Sequence, residues 1–322
     1  MLKIGNLKLK SNLILAPMSG ITDLPFRLLN RRFSCEMAFV EMLNVRSISY
    51  KSRKTQQMLL SDPKDKPLGV QLLGHDPQFI IKAMETIRRY KFAILDFNAA
   101  CPERKVIRRG EGASLLKDPQ KLNALLKLLV QESPFPVTVK IRSGWDKNSV
   151  NAKEVALYCQ DAGIKALFIH GRTREQGYSG KVDYQVIREV KKALDIPVIA
   201  SGDVLSAGLA KRMFDQTGCD GVLVARGSFG NPWIFREIEG FIKSGKIIAR
   251  PEAAEVAQVM QEHFNACLGF YDQRTAIAVF RKFFSWYTKG RRRTRTLRQK
   301  ACQAKTPEIM LGAIEEFRRN QE

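Results

Sequence analysis

The chain has 322 residues, room for one barrel-sized domain and a small second one. It carries 54 Lys and Arg against 32 Asp and Glu, a formal charge of +22, at a globular 44% hydrophobic residues. The apolar runs are too short to span a bilayer, and the start turns polar after Met-Leu-Lys-Ile-Gly, unlike a secretory leader. The expectation is a monomeric cytoplasmic protein, off the membrane, whose partner is a polyanion, nucleic acid before any other.

Short apolar, β-rich segments alternate with longer helical patterns. Strands are expected at 13–18, 37–41, 68–72, 93–97, 136–141, 166–169, 197–200 and 221–225. Helices are expected at 24–32, 77–89, 119–131, 152–162, 184–194, 206–216 and 232–243. Eight strands, nearly all followed by a helix, in about 240 residues have the count and length of a (β/α)8 TIM barrel. A doubly wound sheet is the alternative, weakened because no G-x-G-x-x-G follows the first strand. From 244 the pattern is helical alone, with helices expected at 252–268, 274–287 and 307–319. The division is therefore a catalytic barrel, 1–243, and a small all-helical C-terminal domain, 244–322. Between the last two helices runs Lys289-Gly-Arg-Arg-Arg-Thr-Arg-Thr-Leu-Arg-Gln-Lys300, with no acidic residue.

A TIM barrel carries its active site at the C-terminal ends of its strands. Here those ends are polar almost without exception. In order they hold Pro17-Met18, Glu41, Gln71, Asn98 leading to Cys101, Lys140, His170, Gly202-Asp203 and Arg226. Any one of these has an ordinary structural use. Together they mark a site, since buried polar groups cost stability unless partnered. Ser201-Gly202-Asp203 and Arg226-Gly-Ser-Phe-Gly-Asn-Pro232 follow strands seven and eight, where barrels bind phosphate through backbone N–H groups. Arg226 adds a fixed cation. Gln71, Asn98 and Lys140 can hydrogen-bond a flat heterocycle, and Lys140 can stabilise negative charge on it. FMN fits these features, as would another phosphorylated aromatic ligand. Six cysteines, at 35, 101, 159, 219, 267 and 302, form no C-x-x-C pair, and three histidines make a metal site improbable.

Two tempting patterns fail. Gly240-Phe-Ile-Lys-Ser-Gly-Lys246 lacks the hydroxyl residue after its lysine and follows no strand, so it is no phosphate-binding loop. No H-E-x-x-H is present.

Seven motifs resemble the tRNA-dihydrouridine synthases, closest to their bacterial B-type branch. They are Ala16-Pro-Met-Ser-Gly-Ile-Thr-Asp23, Val70-Gln-Leu-Leu-Gly74, Asp96-Phe-Asn-Ala-Ala-Cys-Pro102 and Val139-Lys-Ile-Arg-Ser-Gly-Trp145, then His170-Gly-Arg-Thr-Arg174, Pro197-Val-Ile-Ala-Ser-Gly-Asp203 and Ala225-Arg-Gly-Ser-Phe-Gly-Asn-Pro-Trp-Ile-Phe235. The resemblance implies reduction of the C5–C6 double bond of uridine in tRNA, with FMN as cofactor and NADPH as reductant. It implies flavin contacts from Pro17, Met18, Ser19, Gln71, Lys140, His170, Ser201, Gly202, Asp203, Ala225 and Arg226, and Cys101 as general acid. Asn98, Arg142, Arg172 and Arg174 are expected at the substrate, and Arg291, Arg292 and Arg293 on the tRNA body. Ala99-Ala100, Ser201 and Arg291–Arg293 depart from the family pattern. The same chemistry on ribosomal RNA, or an FMN barrel acting on a small molecule, are the alternatives.

Overall fold

The computed structural model describes residues 1–50 and 52–320. Strands β1 (Leu2–Ile4) and β2 (Leu7–Leu9) form an antiparallel hairpin around Gly5. Nine further strands follow: β3 (Leu13–Leu15), β4 (Met37–Phe39), β5 (Leu43–Asn44), β6 (Leu68–Leu73), β7 (Ile94–Asn98), β8 (Val137–Arg142), β9 (Ala166–His170), β10 (Val198–Ser201) and β11 (Gly221–Val224). All are parallel, and the pairing of β4 with β6 closes the ring. The result is an eight-stranded barrel, with β4 and β5 as two halves of its second strand.

Alternation along the strands sorts the side chains. One set packs against the surrounding helices: Leu13, Leu15, Val70, Leu72, Leu95, Phe97, Val139 and Ile141 belong to the larger core. The other set points into the barrel. Low in it, Ile14, Met37, Phe39, Ile94, Phe168, Ile199 and Leu223 pack with Leu2, Ile4 and Leu9 of the hairpin, which closes the barrel floor. Higher up, the inward set turns polar.

The second strand is interrupted. Phe39 lies opposite Gly69 and Leu43 opposite Leu72, so this strand spends one residue more than its partner. That is a bulge, a device that re-aims side chains at a barrel rim. It presents Glu41 to the turn after β3 and Met42 to Asn98. The first strand also ends earlier than expected. Ala16 keeps one bond, to Val224, but Pro17 has no N–H, and the Met18 carbonyl accepts from Ile21 and Thr22 in a turn.

The seven barrel helices form within a few residues of their expected positions. Helix Leu24–Arg32 is capped by Asp23, whose side chain accepts from Phe26 N–H. Arg27 and Arg31 on this helix both bond Asp65, at 2.8 and 2.9 Å, and Asp65 is fully buried. Beyond Ser244 come helices Ala253–Phe270, Gln273–Tyr287, Arg295–Gln303 and Pro307–Arg319. They dock on helix Leu24–Arg32 through Phe26, which stacks on Phe283 at 5.4 Å and lies beside the buried His263. Burial holds His263 neutral, its pKa pulled down to about 3. The sequence patterns missed Arg295–Gln303, because only Leu297 and Ala301 are buried in it. None of the described helices is long and apolar enough to cross a membrane.

Asp65→Asn would leave two guanidinium groups facing a neutral partner in the interior. The expected loss of unfolding free energy is about 3–5 kcal/mol. Chemical denaturation checks it, and a loss under about 1 kcal/mol would show that this pair does not anchor the helix.

Candidate active site

Strand β7 contributes two inward residues, Asp96 and Asn98, two apart and so on one face. Asn98 Nδ2 donates to Gln71 Oε1 at 2.8 Å, and Gln71 Nε2 donates to Asp96 Oδ2 at 2.7 Å. Thr138 Oγ1 donates to the other Asp96 oxygen at 2.7 Å. Burial raises Asp96 to about 6, while these bonds and Lys140 draw it back. Burial, and then repulsion from Arg142, lower Lys140 to about 8, opposed by Asp96. Each group favours the charged form of the other, against the burial that both share. Asp96 was not among the expected site residues. Its signal was the period-two spacing to Asn98 in a strand otherwise apolar.

The loop after β7 is held from three sides. Asn98 Oδ1 accepts from Ala100 N–H at 3.0 Å and Cys101 N–H at 2.8 Å. Arg142 Nε donates to the Ala100 carbonyl at 2.7 Å, and its Nη1 donates to Thr173 and Gly177 carbonyls at 3.0 and 2.8 Å. The Cys101 carbonyl accepts from Ala113 N–H at 3.0 Å, beside Gly112 at φ +61°, where a Cβ would crowd Cys101 itself. Asn98 and Arg142 therefore spend their hydrogen bonds largely on positioning the cysteine loop. Ala99 and Ala100 are not at positive φ, so the lack of glycine there strains nothing. Cys101 is half-buried, whereas Cys35, Cys159, Cys219 and Cys267 are buried and Cys302 is exposed. Burial pushes the Cys101 thiol up, against the Glu103 backbone N–H and the cations Arg142 and Lys140. The group is a protonated thiol at neutral pH.

Across the mouth, Ser201 is buried, Gly202 stands at φ +122° and Asp203 at φ +51°. A Cβ on Gly202 would press on Val182 and His170, so only glycine lets this turn lie flat against the ring. Arg226 Nη2 bonds Asp203 at 2.6 Å, and Arg172 bonds the other carboxylate oxygen and the Ser179 and Gly180 carbonyls. The Arg172 bond, reinforced by Arg226, holds Asp203 below the usual carboxylate range. Burial and four cations, Lys140, Arg142, Arg172 and Arg226, hold His170 well below its ordinary value, so it is neutral. His170 Nε2 and Arg172 Nη1 are buried without a hydrogen-bond partner. Unsatisfied polar atoms in a cation-rich turn beside a flat glycine suit a phosphate group.

At the rim, Pro17, Met18 and Ser19 lie in the turn after β3, and Ala225 precedes Arg226 at the end of β11. Arg174 stacks on Trp145 at 4.7 Å with Lys117 at 3.6 Å from the same ring, and the exposed Tyr178 lies 4.9 Å from Arg226. Trp145, Lys117 and Tyr178 join the expected set. Arg291, Arg292 and Arg293 sit on the turn after helix Gln273–Tyr287 and not on a barrel loop, with Arg291 bonded to the Pro251 carbonyl at 2.7 Å. A cavity of about 350 Å³ lined by Ile48, Thr55, Leu59 and Tyr90 contains none of the strand-end residues. Among the described residues no cluster of three His, Cys, Asp or Glu could hold a metal.

Comparison with known proteins gives one answer. The family described as dihydrouridine synthase matches residues 14–322. The tRNA-dihydrouridine synthase B of Vibrio cholerae is 36% identical over 316 residues, 98% of each chain. That of Pseudomonas putida is 38% identical over 289 residues, 90% of this chain and 86% of its own. Among solved structures, an old yellow enzyme homologue from Zymomonas mobilis aligns at TM-score 0.54 and 14% identity, over 77% of this chain and 92% of that one. Histamine dehydrogenase from Rhizobium sp. 4-9 aligns at TM-score 0.57 and 13% identity, over 82% of this chain and 50% of that one. These two likenesses speak for the barrel fold.

The thiol's state can be read without any substrate. In a Cys302→Ser background, Cys101 is the one described cysteine that is not buried. Alkylation follows the thiolate, so with a raised pKa its rate should climb with pH and reach half-maximum above the ordinary 9.0. A plateau reached below that value would contradict the protonated thiol.

Proposed function

Because this chain belongs to the dihydrouridine synthase family, we propose that its barrel mouth holds FMN, that NADPH reduces it, and that Cys101 protonates the uracil ring. The activity is the flavin-dependent reduction of uridine in tRNA to dihydrouridine. The observation that carries the residue assignment is the half-buried, protonated Cys101 on a loop pinned by Asn98 and Arg142, facing the same mouth as the cation-ringed turns.

The phosphate of FMN fits Gly202, Asp203 and Arg226, with His170 Nε2 and Arg172 Nη1 as unspent polar atoms nearby. Gln71 and Lys140 offer polar groups to the ring system, and Pro17, Met18, Ser19, Ser201 and Ala225 line it. Reduced FMN, when bound, supplies a hydride to one carbon of the C5–C6 double bond. The Cys101 thiol gives its proton to the other carbon, and the thiolate left behind is reprotonated from water. Arg142 and Lys140 lower the cost of that transient thiolate. Lys140, whose charged form Asp96 favours, also stabilises negative charge in the mouth. The uridine must leave its stack to reach a half-buried thiol in a barrel mouth. The cations of Arg174 and Lys117 on Trp145 form a rim suited to the RNA backbone. Such a substrate and reductant put the work in the cytoplasm.

Cys101→Ala should keep its flavin and its reduction by NADPH, and lose tRNA turnover by roughly two to four orders of magnitude. Near-normal turnover would end the assignment. Arg226→Ala should be purified with little flavin, since the phosphate loses its fixed cation.

The helical region is the second RNA contact. Arg292, Arg293 and Arg295 are exposed. Replacing the three by Ala should raise KM for tRNA, leave kcat unchanged, and flatten the salt dependence of binding by about one unit of slope per lost contact. An unchanged slope would make them a solvated turn.

A further inference from the structure

Helix Gln273–Tyr287 belongs to the C-terminal region, yet it touches two loops of the barrel mouth. Lys282 Nζ donates to the carbonyl of Gly20, in the turn that follows β3. The N–H of the same Gly20 donates to the Glu41 carboxylate presented by the bulge. This turn carries Pro17, Met18 and Ser19. One helical turn further on, the Trp286 indole stacks on Phe229, with ring centroids 4.0 Å apart and planes within 11°. Phe229 lies three residues beyond Arg226, in the loop after β11. Beside it Gly230, at φ +63°, lies directly against the backbone of Trp286 and Tyr287, where a Cβ would collide.

Residues four apart share one helix face. Lys282 and Trp286 therefore form a single edge that meets the loops after β3 and β11. Those two strands are hydrogen-bonded neighbours in the barrel. A different set of side chains on this helix, Phe280, Phe283 and Phe284, is buried in the core and holds the helix on the barrel. Lys282 and Trp286 lie beside this set, 5.2 and 5.4 Å from the Phe283 ring, and add the contacts to the mouth loops.

We propose that Lys282 and Trp286 are positioning residues of the flavin site. From the helical region they brace the two loops between which the cofactor lies, adding to the bonds each loop makes within itself. The proposal rests on FMN occupying the mouth. It implies that the helical region is part of the cofactor pocket as well as an RNA surface.

The test uses the flavin-free full-length chain titrated with FMN, followed by flavin fluorescence and by the shape of the bound-flavin absorption band. Lys282→Met removes a charge-assisted bond and should raise the Kd for FMN about tenfold. Trp286→Leu should do the same, and both should alter the bound-flavin band. Lys282→Arg keeps a cation to donate to Gly20 and should bind FMN as the wild type does. Ile314→Ala weakens the core of the same helical region without touching the mouth loops. Its Kd should stay at the wild-type value despite a lower melting temperature. FMN binding unchanged in Lys282→Met and Trp286→Leu would overturn the proposal. So would an Ile314→Ala chain that loses FMN equally, since that is general loosening. If Lys282→Met does not fold, Lys282→Gln and Trp286→Phe are read by the same criteria. A wild-type chain that takes up no FMN overturns the cofactor assignment itself, a separate outcome.

Discussion

Asp96 is a carboxylate buried inside a barrel whose other interior layers are hydrocarbon, and the site depends on how that group is satisfied. An ionised carboxylate in such a place is tolerated only with hydrogen bonds and a counter-charge. Gln71 and Thr138 supply the bonds, and Lys140 supplies the charge. The consequences run upward. Gln71, committed to Asp96 by its amide, accepts from Asn98. Asn98, so oriented, turns its oxygen towards the backbone of the next loop and places Cys101. The buried Asp96 thereby orients a chain of side chains from the mid-barrel to the Cys101 loop, each with its donor and acceptor fixed by the one below.

The mouth has a second organiser in Arg142. Its three bonds to backbone carbonyls join the Cys101 loop to the loop that carries Thr173 and Gly177. A guanidinium is suited to this because its planar donors reach several carbonyls at once. Holding it in a buried position lowers its pKa to about 10, which still leaves it charged at neutral pH. The Cys101 loop is therefore cross-braced to its neighbour by a cation, and that cation also faces the thiol whose ionised form it would favour.

Much of this was legible in the sequence. Most of the barrel strands are apolar runs ended by polar residues, a pattern that parallel strands under helices impose. The strand-end set from Gln71 to Arg226 was visible for the same reason, since each member interrupts an apolar run. What was hidden was of three kinds. Elements too short or too charged to show a period, such as the Leu2–Leu9 hairpin and helix Arg295–Gln303, gave no pattern to read. Pairings across long separations gave none either: Lys282 meets Gly20 262 residues away, and Tyr271 meets Asp23 248 away. The bulge at Val40–Met42 is a third case, because a single inserted residue leaves hydrophobicity unchanged and shows only in the register with β6. Asn98 and Arg142 were found by position, but their work on the cysteine loop became visible only with the bonds in place.

The charges around His170 explain why this mouth is built as it is. Lys140, Arg142, Arg172 and Arg226 converge there, and of the carboxylates near them Asp96 answers the first and Asp203 the last two. Positive charge is in excess. Like charges gathered in a partly buried site repel, and the neutral state of His170 follows from burial first and that repulsion second. The excess is useful when an anion enters. The phosphate of the proposed cofactor would take up the unspent donor of Arg172 and meet Arg226, easing that repulsion. Stability given up at such a site reappears as ligand affinity. The same reasoning accounts for the protonated cysteine at its edge: a thiol buried enough to stay neutral, yet close enough to cations for its thiolate to be tolerated briefly, can release a proton and recover it.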